Sequence, residues 1–97
     1  MIKIYKYPLD LKKDQTVRIQ GLLNVLSVVP QKNTPVLYAA VDTTIQASLS
    51  VRVKLYETGQ EIEPETRGYT FLGTLMLDGA DYVLHAFVDH TGEIPGL

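Results

Sequence analysis

Hydrophobic and polar residues alternate with a period of two along much of the chain. In the segment Leu49–Tyr56, LSVRVKLY, every second residue from Leu49 onward is aliphatic, and Ser, Arg, Lys and Tyr stand between. Successive side chains of a strand point to opposite faces, so this pattern predicts a strand with one buried face and one polar outer face. Shorter alternations at 2–7 and 16–20 predict two further strands.

Three other segments, 25–29, 36–41 and 71–77, are apolar on both faces and predict central strands. Their β-branched and aromatic residues favour strand over a short buried helix. The segment 82–88 alternates again and predicts the last strand. About seven short strands therefore predict an all-β, mostly antiparallel fold, either a small sandwich or an open barrel.

Turn-forming residues separate these segments. Lys32–Pro35 and Asp78–Asp81 predict tight turns, the second because Asp-Gly favours the positive φ of a hairpin turn. Residues 57–68 predict a longer loop, and 9–14 either one helical turn or a loop.

The length of 97 residues predicts a single domain, 1–97. We expect residues 1–89 to form its core. Residues 90–97 contain two glycines and one proline, and we expect them to be a loosely held tail.

Composition narrows the classes of function. The chain has no cysteine and a net charge of −2, which argues against a thiolate metal site and against general nucleic-acid binding. It has neither a signal-peptide core nor an apolar run long enough for a membrane span, so we expect a cytoplasmic protein with no membrane partner.

A catalytic set is missing. The two histidines are His85 and His90, and His85 lies about 13 Å along the strand from Asp89, too far to share a metal. Four glutamates between 57 and 65 are expected to be a solvated run, and no glycine-rich phosphate loop is present. We therefore predict no enzyme activity, no catalytic residues, no metal and no cofactor.

One strand face offers a binding surface. Arg52, Lys54 and Tyr56 share the polar face of their strand, and two cations beside an aromatic ring suit an anionic, planar ligand. Arg18 and Tyr38 extend this candidate site if their strands are neighbours. The alternative interpretation is an ordinary solvated strand face.

Two further features have open roles. His85 is either a candidate ligand-binding residue or a histidine of the core or of an interface. Tyr5 and Tyr7 pack near a sheet edge or in a subunit interface, where tyrosine is enriched. A small β domain must protect its edge strands: either Pro8 and the charged outer face of the first strand blunt one edge, or the edges pair between subunits. We expect a homo-oligomer.

The order of several short motifs is informative. The central ones are Lys6-Tyr7-Pro8-Leu9, Tyr56-Glu57-Thr58-Gly59 and His85-Ala86-Phe87, and similar pieces lie between them. Over residues 4–88 the chain resembles a family of small bacteriophage and prophage β proteins whose function is not established. It departs from that pattern at Tyr38 and Leu84, where tryptophan is usual, and at Glu57, where glycine is common.

The resemblance implies a phage accessory protein that acts in the host cytoplasm. The leading hypothesis is a counter-defence protein that sequesters a nucleotide-like host signal. The alternatives are a protein-binding inhibitor of a host defence effector, similar to anti-CRISPR proteins, and a minor structural or assembly protein of the virion.

Overall fold

The computed structural model describes residues 1–92, which form seven strands in two antiparallel sheets. The strands are β1 (Ile2–Pro8), β2 (Asp14–Gln20), β3 (Leu22–Gln31), β4 (Thr34–Asp42), β5 (Ser48–Glu57), β6 (Thr70–Leu77) and β7 (Tyr82–Val88). One sheet has the order β1-β4-β3, and the other has the order β2-β5-β7-β6. The predicted all-β fold of about seven strands is confirmed as a sandwich-like arrangement without a closed barrel.

The core lies between the two sheets and is built from alternate residues of nearly every strand. Ile19, Leu37, Val51, Leu75 and Ala86 are completely buried there. On β1 the isoleucines point outward, so that Ile2 and Ile4 are exposed while Tyr7 packs against the core. A tyrosine suits a position at the edge of the core, because its ring packs against apolar side chains while its hydroxyl group reaches polar surroundings.

The two lateral sides of the sandwich differ. The edge strands β3 and β6 lie against each other, and the carbonyl oxygen of Val28 is 3.9 Å from the position a Cβ would take on Gly73. The other two edge strands, β1 and β2, lie further apart, and cavities open between them.

Gly21 joins β2 of the larger sheet directly to β3 of the smaller one. Its φ is +67°, and a Cβ there would lie 2.2 Å from the carbonyl oxygen of Asp42. Its amide donates to Ala47, and its carbonyl accepts from the amide of Asp42. Only glycine fits this corner, because a side chain would be strained by the backbone angle and would collide with β4.

The connections follow the predicted turns in part. Lys32 and Asn33 both have positive φ, as a two-residue hairpin turn requires, although Thr34 and Pro35 already belong to β4. Asp78, Gly79 and Ala80 all have positive φ, as the Asp-Gly turn predicted, and a 3₁₀ turn, Pro64–Gly68, lies inside the long loop. The segment between β1 and β2 has no helical turn, which leaves the loop alternative.

The end of the described chain is hydrogen-bonded to both sheets. His90 Nε2 lies 2.8 Å from the carbonyl oxygen of Ser50, and the carbonyl of Thr91 accepts from the amide of Val25. Most of the tail predicted for 90–97, namely 93–97, lies outside the described residues.

Candidate functional site

The predicted binding face on β5 is divided by the fold. Arg52, Lys54 and Tyr56 do share the outer face of the larger sheet, and Arg52 is exposed. Lys54 and Tyr56, however, are only 6% and 1% exposed. The prediction of a polar, solvent-facing strand surface is therefore wrong at Lys54 and Tyr56.

The loop after β5 folds back and covers these two side chains. The ammonium group of Lys54 donates to Glu63 Oε1 at 2.8 Å and to Glu65 Oε1 at 3.2 Å, and it lies 3.4 Å from Asp14 Oδ1. The hydroxyl group of Tyr56 lies 2.8 Å from that of Thr66. We call these six residues the Lys54 cluster. Two glutamates of the run expected to be solvated, Glu63 and Glu65, thus pair with Lys54, because a buried cation needs compensating charge, while Glu65 itself remains exposed.

The charges of the Lys54 cluster stabilise one another. The hydrogen bond to Glu63 raises the pKa of Lys54, and hydrogen bonds from Lys54 and Lys13 lower the pKa of Glu63 to about 2. The face of the Tyr69 ring adds a cation–π contact 5.8 Å from the ammonium nitrogen. With its donors committed to three carboxylates, Lys54 serves to hold the loop in place.

The structure brings Arg18 to the predicted face but not Tyr38. Arg18 lies opposite Ser50 on the neighbouring strand, so it shares the outer face that carries Arg52. Tyr38 lies on β4 in the other sheet, on its outer face, where its hydroxyl group donates to Gln31 Oε1 at 3.3 Å. Tyr38 is thus on the opposite side of the sandwich from the other candidates.

His85 lies on the outer face of β7, opposite Tyr56 on β5. It is half-buried, and both of its ring nitrogens have partners: Nε2 lies 2.8 Å from the hydroxyl oxygen of Thr58, and Nδ1 lies 3.0 Å from that of Thr74. The two hydroxyl groups fix the orientation of the ring. No carboxylate is among these contacts, and the imidazole is held between the two threonine hydroxyl groups.

The largest openings lie between the edge strands β1 and β2. Two cavities, of about 430 and 360 Å³, adjoin there, and both are lined by Tyr7 and Arg18. Tyr5 and Gln20 line the smaller cavity and Lys12 lines the larger one. We call this pair of cavities the Arg18 groove, defined by these five residues.

Three polar groups of the Arg18 groove are available to a ligand, whereas Gln20 Nε2 donates to the carbonyl oxygen of Ile45 and the ammonium group of Lys12 lies 4.0 Å from Asp10 Oδ2. Within residues 1–92, neither the guanidinium group of Arg18 nor the hydroxyl groups of Tyr5 and Tyr7 form a hydrogen bond with another side chain or the backbone. Burial, and to a lesser extent the neighbouring Tyr5, raise the pKa of Tyr7, so its hydroxyl group keeps its proton at neutral pH. The groove therefore combines a forked cation with two aromatic rings, and Asp10 and Asp42 each line one of its two cavities.

The sequence indicated the parts of this groove but not their assembly. The spacing of two between Tyr5 and Tyr7 placed both rings on one face of β1, and Arg18 was a candidate for another reason. What brings them together is the approach of two edge strands that belong to different sheets, which no local pattern reports.

Two general findings apply to residues 1–92. No helix in this part of the chain is long and apolar enough to cross a membrane. Nor does this part contain a group of three metal-ligating side chains placed to hold an ion.

Comparison with known proteins places the chain in a family. Neither the curated proteins nor the solved structures include one that matches it. The profile of the domain of unknown function DUF7352 matches residues 1–95, which is nearly the whole chain. The chain therefore belongs to the DUF7352 family.

Proposed function

We propose that this chain is a non-enzymatic binding protein that sequesters a small, anionic, nucleotide-like molecule in the Arg18 groove. The observation that carries the proposal is the position of Arg18, which lines both cavities beside Tyr7 and has no carboxylate partner within residues 1–92. A guanidinium group binds a phosphate with two parallel hydrogen bonds, and a tyrosine ring stacks on a base. The groove offers both groups side by side.

The resemblance to bacteriophage and prophage proteins supports a biological context for this binding. A phage protein that removes a nucleotide signal from the host cytoplasm suppresses a defence response without any catalysis. Such a sponge needs an affinity high enough to compete with the host receptor and no reactive group.

Titration with a panel of nucleotides tests the proposal. Cyclic mononucleotides, cyclic dinucleotides and ADP-ribose are titrated calorimetrically into the wild type and into Arg18→Ala, Arg18→Lys and Arg52→Ala variants. We expect at least one compound to bind, and Arg18→Ala to weaken it about ten- to hundredfold, as the loss of a charged hydrogen bond does. Arg18→Lys keeps the positive charge but loses the two parallel hydrogen bonds of the guanidinium group. Its affinity should therefore lie between those of the wild type and Arg18→Ala.

Arg52→Ala is the matched control, because Arg52 is exposed on the same outer face but does not line the groove. If no compound binds the folded protein, the sponge hypothesis is wrong. If Arg52→Ala abolishes binding and Arg18→Ala does not, the ligand lies on the β5 face and not in the groove.

A second candidate function, inhibition of a host defence protein by direct contact, is favoured by the outer face of the smaller sheet. Ile2, Ile4, Leu26 and Val29 are between 38% and 64% exposed there, around the ring of Tyr38. Its three strands, of 7, 9 and 10 residues, present roughly 400 Å², less than the ~800 Å² per partner of a standard interface. This face therefore ranks second. An Ile4→Lys variant that no longer captures one host protein at equal stoichiometry would establish it.

A further inference from the structure

Another cavity, of about 300 Å³, lies on the outer face of the larger sheet, away from the Arg18 groove. The loop after β5 forms one wall of it with Ile62, and β6 and β7 form the other with Phe71 and Phe87. His85 and Thr58 supply polar groups. We call this cavity the His85 cleft, defined by these five residues.

The apolar walls of the His85 cleft are not filled by the protein itself. Ile62 is 51% exposed and Phe71 is 54% exposed. The rings of Phe71 and Phe87 are 5.2 Å apart and tilted, and Phe87 meets Tyr56 edge to face at 5.9 Å. These are the distances that aromatic pairs prefer, and the row of rings ends at the exposed Phe71. A further ring can therefore continue the row.

The polar groups of the cleft are neutral hydroxyl groups rather than charges. The hydroxyl groups of Thr58 and Thr74 each lie within hydrogen-bond distance of one ring nitrogen of His85. A hydroxyl group that makes one hydrogen bond still has capacity for a second one. Thr58, on the exposed loop, is thus able to bind a polar substituent of a ligand.

The charge of the cleft separates it from the Arg18 groove. Its one charged lining residue is Glu57, and neither lysine nor arginine lines it. An anion placed here would meet a carboxylate group without a compensating cation, which costs free energy in a partly apolar site. The His85 cleft therefore favours an uncharged ligand, whereas the Arg18 groove favours an anionic one.

We propose that the His85 cleft binds a small planar aromatic molecule that carries no negative charge. Its ring lies against Phe71 and Phe87, and its polar substituent is hydrogen-bonded to Thr58. The volume of about 300 Å³ is at the lower end of ligand pockets, which suits one or two fused rings. This site does not depend on the function proposed for the Arg18 groove.

Titration of the isotopically labelled protein with indole, followed by amide NMR, tests this site. We expect saturable shifts at Thr58, Gly59 and His85. Indole-3-acetate has the same ring and a negative charge, and we expect it to bind at least about tenfold more weakly. Phe71→Ala should weaken indole by about tenfold or more, and Phe71→Leu, which keeps an apolar side chain but loses the ring, should weaken it less.

Met76→Ala is the matched control, because Met76 lies on the same face of β6 and is 63% exposed, but does not line the cleft. Circular dichroism confirms that each variant is folded. The proposal is overturned if indole gives no saturable shifts at its solubility limit, or if indole-3-acetate binds equally well. It is also overturned if Met76→Ala weakens binding as much as Phe71→Ala does.

Discussion

The two lateral sides of the sandwich protect their edge strands in different ways. On one side β3 and β6, neither of which contains a charged residue, lie against each other. On the other side β1 contains Lys3 and Lys6, β2 contains Asp14 and Arg18, and the two strands stand apart. We call the first the closed side and the second the open side.

The comparison shows how a small β domain covers the edge strands on one side and leaves those on the other side accessible. An exposed uncharged edge strand invites pairing with another chain, and the closed side removes that risk because each edge covers the other. The open side keeps its edges accessible and uses charges and Pro8 to discourage pairing. A cavity for a ligand is then available at the open side without a hole in the core.

The largest expected difference is in the free energy of unfolding, when core side chains beside the closed side and beside the open side are truncated to alanine. Leu75→Ala on β6 removes a completely buried side chain and should lower the free energy of unfolding by about 2–5 kcal/mol. Val17→Ala on β2 removes a partly buried side chain and should cost about 1 kcal/mol. Urea unfolding measures both values. An equal cost at both positions would show that the open side is as tightly packed as the closed side.

Acid should loosen the open side through the Lys54 cluster, which ties the long loop to Asp14 on β2. The pKa of Glu63 falls from 4.5 to about 2 on folding, so its ionised form stabilises the fold above pH 4.5. That stabilisation disappears as the pH falls toward 2. Glu63→Gln should therefore melt below the wild type at pH 7, and the two melting temperatures should converge near pH 2.

Glu61→Gln is the control for this titration, because Glu61 is exposed and forms no ion pair within residues 1–92. A difference between Glu63→Gln and the wild type that stays constant down to pH 2 would contradict the proposed ion pairing.

Removal of charge from the open side should produce self-association. A Lys3→Thr/Lys6→Thr variant leaves β1 without a charged side chain, and we expect concentration-dependent oligomers in sedimentation velocity. A Lys12→Thr/Arg67→Thr variant loses the same charge outside the strands. If both variants associate equally, then the overall net charge and not the edge strand controls association.

The smallest effect on stability is expected at Arg18, the residue proposed to bind the ligand. Arg18→Ala removes an exposed side chain without an ion-pair partner among residues 1–92, so the free energy of unfolding should change by less than about 0.5 kcal/mol. Urea unfolding beside the calorimetric titrations separates lost affinity from lost stability. A cost above about 1 kcal/mol would mean that Arg18 has a structural role.

The strands were predictable from the sequence because a period of two is a local property, and all seven predicted segments form strands. Whether the outer face of a strand is covered depends on segments that are distant in the sequence. Lys54 alternates correctly with Val53 and Leu55, yet it is buried because a loop nine residues later returns to cover it. The acidic residues Glu63 and Glu65 in the following loop indicated that a cation could pair with them. Only the position of the folded loop shows that this cation is Lys54.

The exposed isoleucines of β1 are a second feature that the local pattern did not predict. Ile2 and Ile4 alternate with Tyr5 and Tyr7, and the pattern alone does not say which set faces the core. The choice is made by the neighbouring sheet, which needs Tyr7 against Val17 and leaves the isoleucines outside. The pairing of Arg18 with Tyr7 in the groove depends on that same choice.

The corner at Gly21 has a mechanical consequence. Since one residue joins β2 to β3, the segment Asp14–Gln31 is almost one continuous strand that belongs to both sheets. Gly21 is also hydrogen-bonded on both sides, so the two layers have no hinge there. Arg18, three residues before the corner, is therefore joined to β3 of the opposite sheet by one short, hydrogen-bonded stretch of backbone.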